Sequence, residues 1–298
     1  MGSAIGRRNI MPEIVFVPGA TGTTGMEVVR QLVEKRVAVR AGVHSEVNAD
    51  KVRKLGADPV ALDLTDVRGI SAALDGVRKA YSLSPFFPNL AELGVNFVEA
   101  AKTAGVQHVV RGSAIGADTP DPITLGKWHR AAEEALEDSG ISYTIIRPNV
   151  FMQNYFNLYG ETIRGQDAFY LPQGDGRISM VDVRDVAAVI VAALTEDGHE
   201  GKAYEVTGPE ALSNDEVAEV LSKVTGRSIS YVDAPEDAAR QGMKDAGFPG
   251  SLVEPLLELS GVIKAGFVSA VSQTVAEVAG RPPISFEQFA NDHRNQFQ

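Results

Sequence analysis

Three glycines at the spacing G-x-x-G-x-x-G, Gly19, Gly22 and Gly25, follow directly on the apolar run Ile14-Val15-Phe16-Val17-Pro18. The chemistry such a turn offers is phosphate binding. Gly19 lets the chain turn sharply off a strand, Gly22 leaves room for a pyrophosphate to approach the backbone, and Gly25 lets the next helix pack closely. The first N–H groups of that helix then face the anion, with the helix dipole behind them. Thr21, Thr23 and Thr24 add hydroxyl donors. Ordinary strand–helix turns also carry glycines, so the pattern has weight because a strand precedes it and a helix, Met26 to Lys35, follows.

A dinucleotide site declares its preference at the end of the second strand, where an acidic side chain binds ribose hydroxyls and repels a 2′-phosphate. Here that strand ends Arg40-Ala41-Gly42-Val43-His44-Ser45, with no acid before Glu46. His44 and Ser45 suit a 2′-phosphate and Arg40 would assist if it pointed that way; otherwise Arg40 and His44 are solvated strand-end residues. NADP(H) is therefore the expected cofactor, with NADH as the alternative. Asp63-Leu64, after the third strand, is placed where such folds contact adenine, and Asp63 reads equally well as a turn residue. Leu83-Ser84-Pro85 ends the fourth strand at the carboxyl edge of the sheet, where ligands bind, and its backbone is expected to flank the cofactor ribose. Phe86 and Phe87 follow on a proline-bounded loop, and at least one of them is expected to face substrate.

The elements that must position these residues alternate. Strand-like runs at Val37–Val43, Pro59–Leu62, Lys79–Leu83, His108–Val110 and Tyr143–Ile146 are separated by helical runs at Ala49–Leu55, Val67–Leu74, Leu90–Ala104 and Leu125–Asp138. That rhythm predicts right-handed βαβ units: an α/β fold with a Rossmann-type, doubly wound parallel sheet. It breaks after Arg147-Pro148. Val186–Leu194 reads as a helix capped by Asp185, and Ser213 with Glu216 has capping-box spacing before a helix that Gly226 closes. A short strand at Ile229–Val232 and helices at Pro235–Ala246, Leu252–Lys264 and Phe286–Asn291 complete the reading. The expected division is a disordered lead at 1–11, a nucleotide-binding domain at 12–150, and a smaller, mostly helical lobe at 151–298 from which some segments return to the sheet.

Composition narrows the function classes. The 298 residues carry a formal charge of −11, which leaves no basic excess to neutralise nucleic-acid phosphates. There is no cysteine, so disulfides, thiolate metal sites and cysteine nucleophiles are excluded. The five histidines have no paired ligand spacing, and no metal site is expected. No run approaches the roughly 18 apolar residues of a membrane span. A cytoplasmic protein, monomer or homodimer, is expected.

The chain resembles the NmrA-like branch of the atypical short-chain dehydrogenase/reductases. The likeness is carried by Gly19–Gly25, by Arg111-Gly112-Ser113-Ala114-Ile115-Gly116-Ala117, by Ser139 to Asn154 and by Thr207 to Ser213. It spans nearly the whole chain, and Arg147 to Asn154 is its most specific part. Within the branch it is similar to the triphenylmethane reductases and the type 2 NAD(P)H:quinone oxidoreductases. The resemblance implies a Rossmann domain, a small C-terminal lobe and a substrate cleft between them. It places Pro148-Asn149 near the nicotinamide, and Phe151, Met152 and Asn154 along the cleft, although Phe151 and Met152 also suit packing between lobes. Tyr155, Phe156 and Tyr159 fit core as well as wall, and Trp128 fits packing better than a ligand platform.

The wider family has a catalytic Ser and then Tyr-x-x-x-Lys. Ser113 matches the Ser; Glu133 aligns with a family Glu, which puts His129 at the Lys position and Leu125 at the Tyr position. The tyrosine acid is therefore missing. Reducing a simple ketone develops an alkoxide that needs a positioned proton donor, whereas a quinone or cationic dye takes hydride into a delocalised or neutralised product. The expectation is an NAD(P)H-dependent reductase of quinones or other conjugated electrophiles, with Ser113, Lys127 or His129 left to supply a proton or hydrogen bond. Each also has a plain structural reading: a strand-end hydroxyl, a solvated lysine, a packed histidine. The competing expectation is a non-catalytic, NmrA-type redox sensor acting through a protein partner. A sugar-nucleotide epimerase is a weak third, because that chemistry leans on the absent tyrosine.

Overall fold

Short apolar runs alternating with amphipathic helices set the architecture. In a computed structural model that describes residues 13–298, the first half runs β1 (Ile14–Val17), α1 (Thr23–Glu34), β2 (Ala38–Val43), α2 (Glu46–Leu55), β3 (Asp58–Ala61), α3 (Val67–Ala73), β4 (Lys79–Ser82), α4 (Leu90–Ala104), β5 (His108–Gly112), α5 (Thr124–Glu137) and β6 (Ser142–Pro148). The lead at 1–11 lies outside the described residues. The second half runs α6 (Asn154–Asn157), α7 (Gly160–Gln166), β7 (Ala168–Leu171), β8 (Arg177–Ile178), α8 (Val183–Thr195), β9 (Lys202–Val206), β10 (Leu212–Ser213), α9 (Asn214–Thr225), β11 (Ser230–Asp233), α10 (Glu236–Asp245), α11 (Gly250–Lys264), α12 (Thr274–Ala279) and α13 (Phe286–Asp292).

Seven strands form one parallel sheet in the order β3-β2-β1-β4-β5-β6-β9. This is the doubly wound fold that the alternation predicts. The order reverses between β1 and β4, which opens a crevice at their carboxyl ends. One sheet face packs on α1 and α8 through Val28, Val29, Leu32, Val186 and Ile190; the other packs on α3 and α4 through Ile70, Leu74, Leu93, Phe97 and Val98. Parallel strands covered on both faces need such continuous apolar runs.

The sequence rhythm breaks after β6 because the chain leaves the sheet, and it then comes back. α8 crosses to β9, which adds the seventh strand beside β6, and Val275 of α12 joins the same apolar face as α1 and α8. The rest of the second half builds a lobe around Tyr155, Ile163, Phe169, Phe286, Phe289 and Phe297. Full burial of each of its phenylalanines contributes roughly 1.5–3 kcal/mol. The lobe also holds two two-stranded sheets, β7 with β11 and β8 with β10, which the mostly helical expectation missed.

Asp185 is not the cap of α8. The helix starts a turn earlier, and the Asp182 carboxylate accepts the Arg184 N–H at 2.8 Å. Asp185 is buried inside the helix, where it accepts the Ile284 N–H at 2.7 Å and pairs with Arg281. It thereby ties the chain after α12 back to the sheet half. The capping box of α9 forms as the spacing implies: Ser213 Oγ accepts the Glu216 N–H at 3.3 Å and Glu216 Oε2 accepts the Ser213 N–H at 2.8 Å. Ser213→Ala should cost about 1 kcal/mol of stability. A lowered urea midpoint is expected, and an unchanged one would contradict the capping role.

Candidate functional site

The glycine turn is built around one close approach. Gly19 has φ +56°, and its carbonyl oxygen sits so near α1 that a Cβ on Gly25 would lie 2.2 Å from it. The third glycine therefore lets the helix pack on its own turn. A Cβ on Gly22 would meet only that same oxygen, at 3.3 Å, with open space beyond. α1 has no side-chain cap and no acid in its first turn. Among the described residues, no acceptor serves the N–H groups of Thr23, Thr24 and Gly25. Three backbone donors at the positive end of a helix, facing a gap with no side chain in it, suit a diphosphate. Thr23 is exposed, Thr21 half-buried and Thr24 buried.

At the end of β2, His44 and Ser45 are exposed, and Ser45 caps α2 by accepting the Asn48 N–H at 3.4 Å. Arg40 turns away from this edge. Its guanidinium donates to the carbonyls of Ala73 and Asp75, at 2.8 and 2.7 Å, where α3 ends. Asp63 takes its turn role, accepting from the backbone and hydroxyl of Thr65 at 2.8 and 2.7 Å; these bonds hold its carboxyl below the usual range. Leu64 beside it is buried. The carboxylate of Glu46 pairs with Arg53.

Ser82 and Ser84 are buried at the end of β4, with Leu83 and Pro85 half-buried; Phe86 and Phe87 stand 44% and 49% exposed on the loop beyond. From β6, Pro148 accepts the Ile115 N–H at 3.1 Å. The buried Asn149 side chain donates to Ser179 Oγ at 2.8 Å and to the Val268 carbonyl at 2.9 Å. Asn149 thus pins the lobe to the sheet edge. Phe151 is half-buried against the sheet core and bridges Val181; Asn154 is half-buried at the start of α6. Tyr155 is core, its hydroxyl donating to Asn214 Oδ1 at 2.7 Å.

The three candidate catalytic side chains go to different places. Ser113 is buried after β5 and donates its proton to Glu133 Oε1 at 2.5 Å. Glu133 also accepts from Arg147, at 2.9 and 2.7 Å, and from Arg130 at 3.0 Å, while Arg147 reaches Asp118. Burial raises the Glu133 carboxyl, but the bonds from Arg147, Ser113 and Arg130 outweigh it and leave the group below its ordinary value. His129 is buried and its Nδ1 has no partner among the described residues. Burial, then the charge of Arg111, pushes its imidazole down to about 3, so the ring is neutral. Lys127 lies apart from both: its side chain is 61% exposed and pairs with Asp121 at 3.5 Å. Positions 127 and 129 lie about 200° apart around a helix, so they cannot share a face.

Arg111 is the residue that carries no role in the sequence reading. It is fully buried in β5, with Nη1 donating to Ser82 Oγ and Ser84 Oγ, both at 3.2 Å, and with Nε and Nη2 unpartnered among the described residues. A charged residue set between Val-Val and Gly-Ser inside a strand is the signal that would have found it. Among the described residues no group of side chains could hold a metal ion, and no helix is long and apolar enough to cross a membrane.

Known proteins resemble this chain along nearly its whole length. The profile of the NmrA-like family matches residues 11–281. An NAD(P)H azoreductase of Xenophilus azovorans is 39% identical over 284 residues, covering 95% of this chain and 99% of its own. The structure of the NADPH-dependent quinone oxidoreductase QOR2 of Escherichia coli, complexed with NADPH, superposes with a TM-score of 0.85 at 29% identity, covering 94% of this chain and 99% of that one. Citrobacter sp. triphenylmethane reductase, complexed with NADP(H), gives 0.81 at 25% identity, with coverage of 94% and 99%.

The buried neutral His129 has a consequence for stability. Its folded pKa lies below the unfolded value near 6.5, so the unfolded chain binds the extra proton. The stabilisation is complete above pH 6.5 and is lost as pH falls from there towards 3. Between pH 7 and 5 the loss from this ring is on the order of 1–2 kcal/mol. His129→Gln should therefore lose urea stability less steeply than the parent chain over that interval. Equal slopes would contradict the neutral, buried ring.

Proposed function

The chain belongs to the NmrA-like family, and from that premise we propose that it is an NADPH-dependent reductase that passes hydride to quinones, azo compounds and other extended conjugated acceptors. It is an NAD(P)H-dependent oxidoreductase, as its relatives are by name, and NADP(H) is its cofactor. The bound nicotinamide supplies the hydride. The rest falls to the chain's own residues.

Thr23, Thr24 and Gly25 would hold the diphosphate with backbone N–H groups, because the site has donors without partners and Gly22 without a side chain to block the approach. His44 and Ser45 would face a 2′-phosphate at the exposed end of β2, where no carboxylate stands free to repel it. Ser84, Pro148 and Asn149 would line the other half of the nucleotide at the ends of β4 and β6, with Phe86 and Phe87 as an aromatic wall for a flat acceptor.

One observation supports the substrate class above all: the α5 side of the site lacks a free proton donor. Leu125, at the position of the family tyrosine, is apolar and buried, and the only proton of Ser113 is committed to Glu133. A neutral imidazole and a surface lysine do not replace them. An alkoxide forming in this site would go without the stabilisation that ketone reduction needs, while a conjugated acceptor spreads the incoming charge over its own atoms.

The test follows loss of NADPH absorbance with a small quinone, an azo dye and a simple aliphatic ketone. Turnover of the quinone or dye is expected, with the ketone at least about 100-fold slower, the usual size of a general acid's contribution. Ketone reduction at a comparable rate, or no consumption of NADPH above the cofactor-only control with any acceptor, would overturn the reading.

A further inference from the structure

We propose that Arg111 is a positioning residue whose uncompensated charge makes the site bind the reduced cofactor in preference to the oxidised one. This rests on the NADP(H) reading given above.

The guanidinium has no carboxylate in ion-pair contact among the described residues. The acid that would be its counter-ion, Glu133, is already engaged by Arg147, Arg130 and Ser113. The other titratable neighbours bring no negative charge: His129 is neutral, and burial pushes the Tyr81 phenol up. Burial draws Arg111 itself down only to about 10, so it stays protonated at neutral pH. The fold leaves room for it. A Cβ on Gly94 of α4 would lie 2.5 Å from the Ala132 Cβ and 3.4 Å from Arg111 Nη2, so a glycine there admits the side chain between α4 and α5.

Its place gives that charge a target. Arg111 Nη1 donates to Ser82 and Ser84, so both hydroxyls act as acceptors and keep their own hydrogens for another partner. Ser84 lies two residues beyond the end of β4, which runs beside β1 at the point where the strand order reverses. In a doubly wound sheet the second nucleotide of the cofactor lies over this half, beyond β4 to β6. The nicotinamide ring is cationic when oxidised and neutral when reduced. A fixed, poorly screened cation in β5, on the half of the sheet where that nucleotide would lie, would therefore oppose only the oxidised form. The chain would favour entry of NADPH and departure of NADP⁺, the sense in which a reductase turns over.

Calorimetric titration of the whole chain with each nucleotide tests this without reference to turnover. NADPH is expected to bind about tenfold more tightly than NADP⁺. Arg111→Lys should keep the preference, Arg111→Met should bring the two affinities within about twofold, and Ser84→Ala should weaken both forms while preserving their ratio. Arg111→Gln serves the same purpose should the Met variant not fold. Equal affinities in the parent chain, or an unchanged ratio in a folded variant lacking the charge, would overturn the proposal. Failure of either nucleotide to bind at all would instead overturn the cofactor reading beneath it.

Discussion

The contact between Gly25 and the carbonyl oxygen of Gly19 is the constraint on which the rest of the structure depends. Only a residue without a Cβ lets α1 begin that close to the turn, since an added carbon would lie 2.2 Å from the oxygen. Because the helix starts there, three N–H groups point into the gap over Gly22 with nothing among the described residues to satisfy them. Their direction is set by what holds α1 behind: the apolar face of Val28, Val29 and Leu32 against the sheet, and α8 alongside. Gln31 adds a bond from α1 to the Arg184 carbonyl at 2.9 Å. α8 belongs to the second half of the chain, so closing the sheet with β9 also braces the helix whose amino end is bare.

Beyond that edge, the site is organised by how two buried arginines are treated. Arg147 is matched by Glu133, and the match consumes the Ser113 proton. Among the described residues Arg111 receives only two serine oxygens. A buried charge with incomplete compensation is costly, and chains retain such groups where they bear on function more readily than where they only support packing. Burial is the first reason that His129 is neutral, and the charge of Arg111 adds to it. The ring sits near one uncompensated cation and near a carboxylate that is spent elsewhere.

Legibility in the sequence followed locality. The glycine turn, α4 and the capping box of α9 were readable because each is specified by residues within a few positions of one another. The start of α8 was misplaced because Asp182 and Asp185 both precede the apolar run, and only burial of the second shows which one caps. β9 was missed because it is an edge strand with mostly exposed residues, and α6 and α7 because short helices are decided by packing rather than pattern. Arg40 shows the limit for sites. Its position at a strand end suits a phosphate, yet its direction towards α3 depends on a helix more than thirty residues away. Lys127 was separable in principle, since helical geometry alone puts it opposite His129.

The central claim is that the diphosphate of the cofactor docks on the bare amino end of α1. Following backbone amide resonances while NADPH is added to isotopically labelled protein tests it most directly. The largest shifts are expected at Gly22, Thr23, Thr24 and Gly25, with smaller ones at Ser84 and Asn149. Shifts confined to the lobe, or none in the turn at saturating nucleotide, would contradict it.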